Sequence, residues 1–161
     1  MNDKPPYALT QEEYELIEAI ADTIIPPGKD PAKEPGAKQV GTKNYFDSRF
    51  LELSESEKIA IRRCFSLLEK KCLSLCGTRF KDARREDRES ILNILLSNPE
   101  SFKDFFKLRA ICLEGYYSDY KDPWYHGPTA WDIIGFKIKN VSFMKKDFSF
   151  LKVYNTYSER K

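Results

Sequence analysis

Two four-residue segments constrain this chain more than any other feature: Thr10-Gln11-Glu12-Glu13 and Ser54-Glu55-Ser56-Glu57. In each, a hydroxyl residue precedes a glutamate by three positions. The hydroxyl can accept from the glutamate's backbone N–H while the carboxylate accepts from the N–H of the hydroxyl residue, which satisfies donors that a helix start otherwise leaves bare. A helix is therefore predicted after each. Behind the first, Tyr14, Ile17, Ile20, Ala21 and Ile24 recur at spacings of three and four, and Pro26-Pro27-Gly28 stops the run near residue 25. Behind the second, a long helix is expected to turn Ile59, Phe65, Leu68, Cys72 and Leu75 inward and to end at Gly77.

The remaining segments fit the same class. Between Pro26 and Gly41 lie four prolines and three glycines, a composition for turns and a surface loop. AKQVGTKNYFDSRFLEL reads as one short helix with Val40, Tyr45, Phe46 and Phe50 inward. Phe80 is expected to pack back on the long helix, and Asp82 to cap a fourth helix running to about Asn98, with Pro99 marking a break. A fifth helix carries Phe102, Phe105, Phe106, Arg109, Cys112, Leu113, Tyr116 and Tyr117 as a single stripe. From Lys137 the apolar residues fall partly in alternation, the pattern of an extended segment. The expected architecture is all-α: about five helices in one domain over residues 1–136, and an extended C-terminal arm over 137–161 that packs on the domain or on a partner.

At 161 residues the chain suffices for one ordinary domain. Its 27 Lys and Arg nearly balance 25 Asp and Glu, so no field of one sign favours nucleic acid or a membrane surface. No apolar run approaches the ~20 residues of a membrane span, and the first ten residues contain neither an apolar leader core nor an arginine. The chain as given is expected in the cytoplasm.

Candidate chemistry is sparse. Cys72 and Cys76 stand one helical turn apart, but zinc sites legible in a sequence draw on two short Cys or His pairs, and here the second is missing. Cys64 lies ~80° around the same helix from Cys72, and Cys112 lies elsewhere; core thiols are the expectation. His126, the only histidine, is suited to proton transfer near neutral pH, with Asp122 and Asp132 nearby in sequence. No nucleophile motif accompanies it, so an enzyme using His126, or a stand-alone module binding a small molecule among the aromatics, is kept as an alternative. No Gly-x-Gly-x-x-Gly or Walker-type Gly-Lys-Ser/Thr is present, and no catalytic, cofactor-binding or metal-ligating residue is assigned. Arg109, in an apolar stripe, needs a carboxylate, and Asp22 is the expected partner in a structural ion pair. Tyr116, Tyr117, Tyr120, Trp124, Tyr125 and Trp131 crowd one helix end and the adjoining loop, and they are the expected partner interface.

Taken in order, LTQEEYELIEAIADTIIP, PGAKQVGTKNYFD, RFKDARREDRESIL, and FFKLRAICLEGYYSD followed by Trp131 and IGF resemble the gluconate 2-dehydrogenase subunit 3 family over roughly residues 8–136. The resemblance implies a helical small subunit without flavin or catalytic residues. It implies a large partner of the glucose-methanol-choline (GMC) type that holds FAD and oxidises a sugar or polyol. It also implies a twin-arginine signal that escorts the partner to the periplasm; with no arginine in residues 1–10, either that signal has been removed or this member acts in the cytoplasm as a stabilising subunit. Arg84 stands where the family commonly has a Ser or Thr cap, a role Asp82 is expected to take.

Overall fold

The computed structural model describes residues 6–118 and 125–136, and all regular structure among them is helical. The capping box at Thr10 forms: Thr10 Oγ1 accepts from the Glu13 N–H at 3.2 Å, and Glu13 Oε2 accepts from the Thr10 N–H at 2.9 Å. It opens α1, Gln11–Ile24. The box at Ser54 likewise opens α4, Glu55–Cys76, which ends at Gly77 in the left-handed region (φ +70°). Between them the single helix expected from residue 37 divides into α2, Ala37–Val40, and α3, Thr42–Glu52. Gly41 at φ +80° makes the break, a conformation a side chain resists.

A 3₁₀ turn at Phe80–Asp82 follows, then α5 at Arg85–Ser97, α6 at Pro99–Tyr117 and the one-turn α7 at Ala130–Ile133. Phe80 is buried as expected. Asp82 does not cap α5: the helix starts three residues later, behind Arg84, which contributes no side-chain cap. Pro99 begins α6 at a position whose N–H a helix does not use, and Asn98 accepts from the Glu100 N–H at 3.0 Å. The Pro-rich loop is a surface loop only in its first half. Pro35, Gly36 and Ala37 are buried, and the Ala37 N–H donates to the Ile25 carbonyl at 2.9 Å.

Helix α6 lies at the centre, packed against α3, α4 and α5 and touching α1, α2 and α7. Ile17 and Ile20 of α1, Phe46 and Phe50 of α3, Ile61 and Leu68 of α4, Ile91 and Leu95 of α5, and Phe105 and Leu108 of α6 are all essentially inaccessible. Each such side chain contributes roughly 1.5–3 kcal/mol of gross burial. The inward face of α4 is Ile61, Cys64, Phe65, Leu68 and Cys72; the expected Ile59 and Leu75 are exposed. Ile59 is two residues from Ile61 and so points to the opposite side, while Leu75 falls in the final turn, past the last buried residue.

Ion pairs between elements frame the core. Arg62 holds Glu13 at 2.8 Å, Lys107 holds Glu57 at 2.7 Å, and Arg63 pairs with Asp104. Buried Asp47 on α3 accepts from the backbone N–H groups of Tyr7, Ala8 and Leu9 at 2.7, 3.0 and 2.9 Å, fixing the path of the chain into α1. Among the described residues no helix is long and apolar enough to cross a membrane.

Candidate protein-interaction surface

Helix α6 has more apolar surface than the fold covers. Phe105, Leu108, Ile111, Cys112 and Tyr116 are buried, whereas Phe102, Phe106 and Tyr117 are exposed, the last two at 52%. The stripe expected to face inward is thus two lines of side chains. At 100° per residue, Phe102, Phe106, Arg109, Leu113 and Tyr117 run up one flank, on average roughly 110° from the line through Phe105, Leu108 and Cys112. Three-and-four spacing links members of both lines, so the sequence pattern merges them. Phe102 and Phe106 stack on each other, with ring centroids 5.7 Å apart.

Beyond its C-terminus the flank is continued by the 125–136 segment. Thr129 and Asp132 form a capping box that starts α7, with the Thr129 N–H donating to Asp132 Oδ2 at 2.8 Å. The indole Nε1–H of Trp131 donates to the Tyr117 carbonyl at 2.5 Å, taking up one of the acceptors that a helix end leaves free. The Trp131 ring meets Phe136 edge-on at 5.1 Å. Tyr117, Trp131 and Phe136 are therefore linked in series, and Ile133, Ile134 and Phe136 are all exposed.

The aromatic residues singled out from the sequence separate by role. Tyr116 is a correction: it belongs to the core, with its hydroxyl donating to the Pro35 carbonyl at 2.8 Å and burial raising its pKa. Tyr125 is half-buried and donates to the Pro128 carbonyl at 2.8 Å, and desolvation raises its pKa as well. Tyr117 and Trp131 reach the surface. Tyr120 and Trp124 lie outside the described residues, as do Asp122 and the arm over 137–161.

His126 is exposed and makes no hydrogen bond or ion pair among the described residues, while Asp132 accepts from the Thr129 backbone and hydroxyl. That arrangement offers no orienting carboxylate from Asp132 to an acid–base histidine. Cys64, Cys72 and Cys112 are buried free thiols. Burial pushes Cys64 up to about 12 and Cys72 up to about 11, and raises Cys112 too, so these sulfurs stay protonated and unreactive. Among the described residues no group of three or more His, Cys, Asp and Glu is placed to hold a metal ion.

The expected Asp22–Arg109 pair is replaced by another. Asp22 faces Arg88 of α5, whose Nη2 is 3.9 Å away. The two belong to a charged basin of about 310 Å³ in which Glu15, Glu18 and Asp22 of α1 face Lys38, Lys81 and Arg88. Lys81 holds Glu15 at 2.7 Å and depresses its pKa, and Lys43 holds Glu18 at 2.7 Å. Sequence reasoning missed this basin, although Glu15, Glu18 and Asp22 already stood at three-and-four spacing opposite the apolar face. Arg109 instead borders a cleft of about 270 Å³ beside Ile24, Glu89, Asn93 and Leu96, and makes no hydrogen bond or ion pair among the described residues.

Comparison with known proteins adds one finding. The family model described as gluconate 2-dehydrogenase subunit 3 matches residues 11–137. Curated proteins and solved structures yield no match.

Proposed function

Because this chain belongs to the gluconate 2-dehydrogenase subunit 3 family, we propose that it is a non-catalytic accessory subunit that binds and stabilises an FAD-dependent large subunit of the GMC type. The observation that carries the reading is the apolar series Tyr117, Trp131 and Phe136, half-buried at Trp131 and exposed at both ends, with exposed Ile133 and Ile134 beside it. An apolar patch with aromatic members at one end of a well-packed domain is the form a protein-binding surface takes. Trp131 is held in place by its bond to α6, so it loses little freedom when a partner covers it.

The flavin belongs to the partner in this reading. When bound there it accepts a hydride from a sugar or polyol carbon. This chain supplies a rigid face, and by binding the folded partner only, it shifts that partner's folding equilibrium toward the native state. Co-expression of the tagged chain with its neighbouring open reading frames tests the proposal. The expected eluate is yellow and contains a large second chain, and Ile134→Asp with Phe136→Asp strips that chain away. A colourless protein eluting alone overturns the reading.

A further inference from the structure

The flank of α6 has a finer pattern than a general apolar patch. Phe106, Ala110, Leu113 and Tyr117 follow one another at spacings of four, three and four, with Phe102 one turn before them. At 100° and 1.5 Å per residue, all five fall within an arc of ~80° and run ~22 Å along the helix. Among the described residues Phe102, Phe106, Ala110 and Tyr117 are exposed and Leu113 is half-buried. Four-three-four spacing is the period of a seam that a second helix fills with its own side chains. Ala110, small between Phe106 and Leu113, leaves a notch where a large side chain can seat. We propose that this seam receives an amphipathic helix of the partner subunit, apolar on its inner face and carrying carboxylates along both edges. This inference rests on the accessory-subunit reading and names the element that is bound.

Charge sets the chemistry of the edges. Arg109 lies just past one side of the arc, and Lys103 and Lys107 lie past the other. Lys107 is held by Glu57 at 2.7 Å, whereas Lys103 and Arg109 make no ion pair among the described residues. The cleft beside Arg109 also holds Glu89 and Asn93, but Arg85 engages Glu89 at 2.9 Å, which leaves Arg109 as the cation in excess there. Charges at the rim of a contact speed the encounter with a partner of opposite sign and reject one of like sign. Acids flanking an apolar helix face match both edges.

A second copy of this chain fits less well. From Phe105 to Tyr117 the one acid is Glu114, which accepts from the Tyr45 hydroxyl, so pairing two such seams brings cations together without carboxylates to spare. The seam also ends at Tyr117, whose carbonyl accepts from Trp131. A helix laid along it is therefore continuous with the surface assigned to the partner above.

The test uses the full chain co-expressed with its neighbouring open reading frames, with the photo-crosslinking residue p-benzoylphenylalanine at exposed position 106. Irradiation of the purified complex and peptide mapping are expected to join position 106 to a segment of the large chain that has apolar residues at three-and-four spacing and Asp or Glu on either side. Lys103→Glu with Arg109→Gln is expected to weaken binding of the large chain about tenfold and to flatten its dependence on salt. A complex in which position 106 joins a segment of another pattern, a second copy, its own chain or nothing overturns the proposal and leaves the accessory-subunit reading standing. So does a complex whose affinity and salt dependence are unmoved by the charge substitutions. If no large chain is captured at all, that reading falls and this inference falls with it.

Discussion

Helices α1 and α6 both carry long apolar stripes, yet the fold treats them differently. From Glu13 to Ile25 no residue of the α1 region is exposed, and the acids on its flank are matched by Lys81, Lys43 and Arg88. Helix α6 buries one line of side chains completely and leaves Phe102, Phe106 and Tyr117 at the surface. Among the described residues the first helix is covered on this side, and the second is not. The ion pairs along α1 have no counterpart at Phe102, Phe106 and Tyr117, whose exposed rings give the α6 flank an apolar character.

The largest loss of stability is expected where the chain enters α1. Asp47→Ala leaves three backbone N–H groups without their acceptor and should cost about 3–4 kcal/mol of stability, measured as a lower urea midpoint at unchanged m-value. The two faces of α6 come next. Leu108→Ala opens the packed side and should cost about 3 kcal/mol, whereas Phe106→Ala should cost at most about 1 kcal/mol. Equal losses in chemical denaturation would erase the distinction between the faces.

A smaller effect tests how closely α3 approaches α6. A Cβ on Gly115 would stand 2.8 Å from Tyr45 Cδ1, so Gly115→Ala must displace that ring. The expected loss is about 1–2 kcal/mol; a neutral or stabilising result in thermal unfolding would show that Tyr45 moves aside freely.

The smallest effect concerns pH. The Lys107 ammonium and the Ser54 cap hold Glu57 at about 2, below the ordinary 4.5. A carboxylate depressed in the folded state contributes stability that is full above 4.5 and is lost as pH falls toward 2. Glu57→Gln should therefore flatten the acid limb of stability against pH between those values. An unchanged limb would mean that solvent screens the pair with Lys107 completely.

Much of the fold was legible because its signals are local. The boxes at Thr10 and Ser54, Gly77 at the end of α4, and Pro99 at the start of α6 act through hydrogen bonds and dihedral limits within a few residues. The same grammar at Thr129 and Asp132 went unread because a single turn has no apolar period to announce it. Family membership was also written in the order of short motifs spread along the chain.

Which apolar residues remain outside was not legible. Phe105 and Phe106 are adjacent and chemically identical, and periodicity admits both to one stripe; the positions of α3, α4 and α5 around α6 bury the first and leave the second in solvent. Arg109 was readable as a cation in want of a carboxylate, but that Asp22 faces Arg88 instead depended on which helix α1 lies against. Asp47 likewise became an anchor only when the N-terminal segment was laid across α3. Local rules specify where helices begin and end, since their energies are set over a few residues. Pairing across the core and exposure at the surface depend on residues distant in sequence, and are set only when the helices pack.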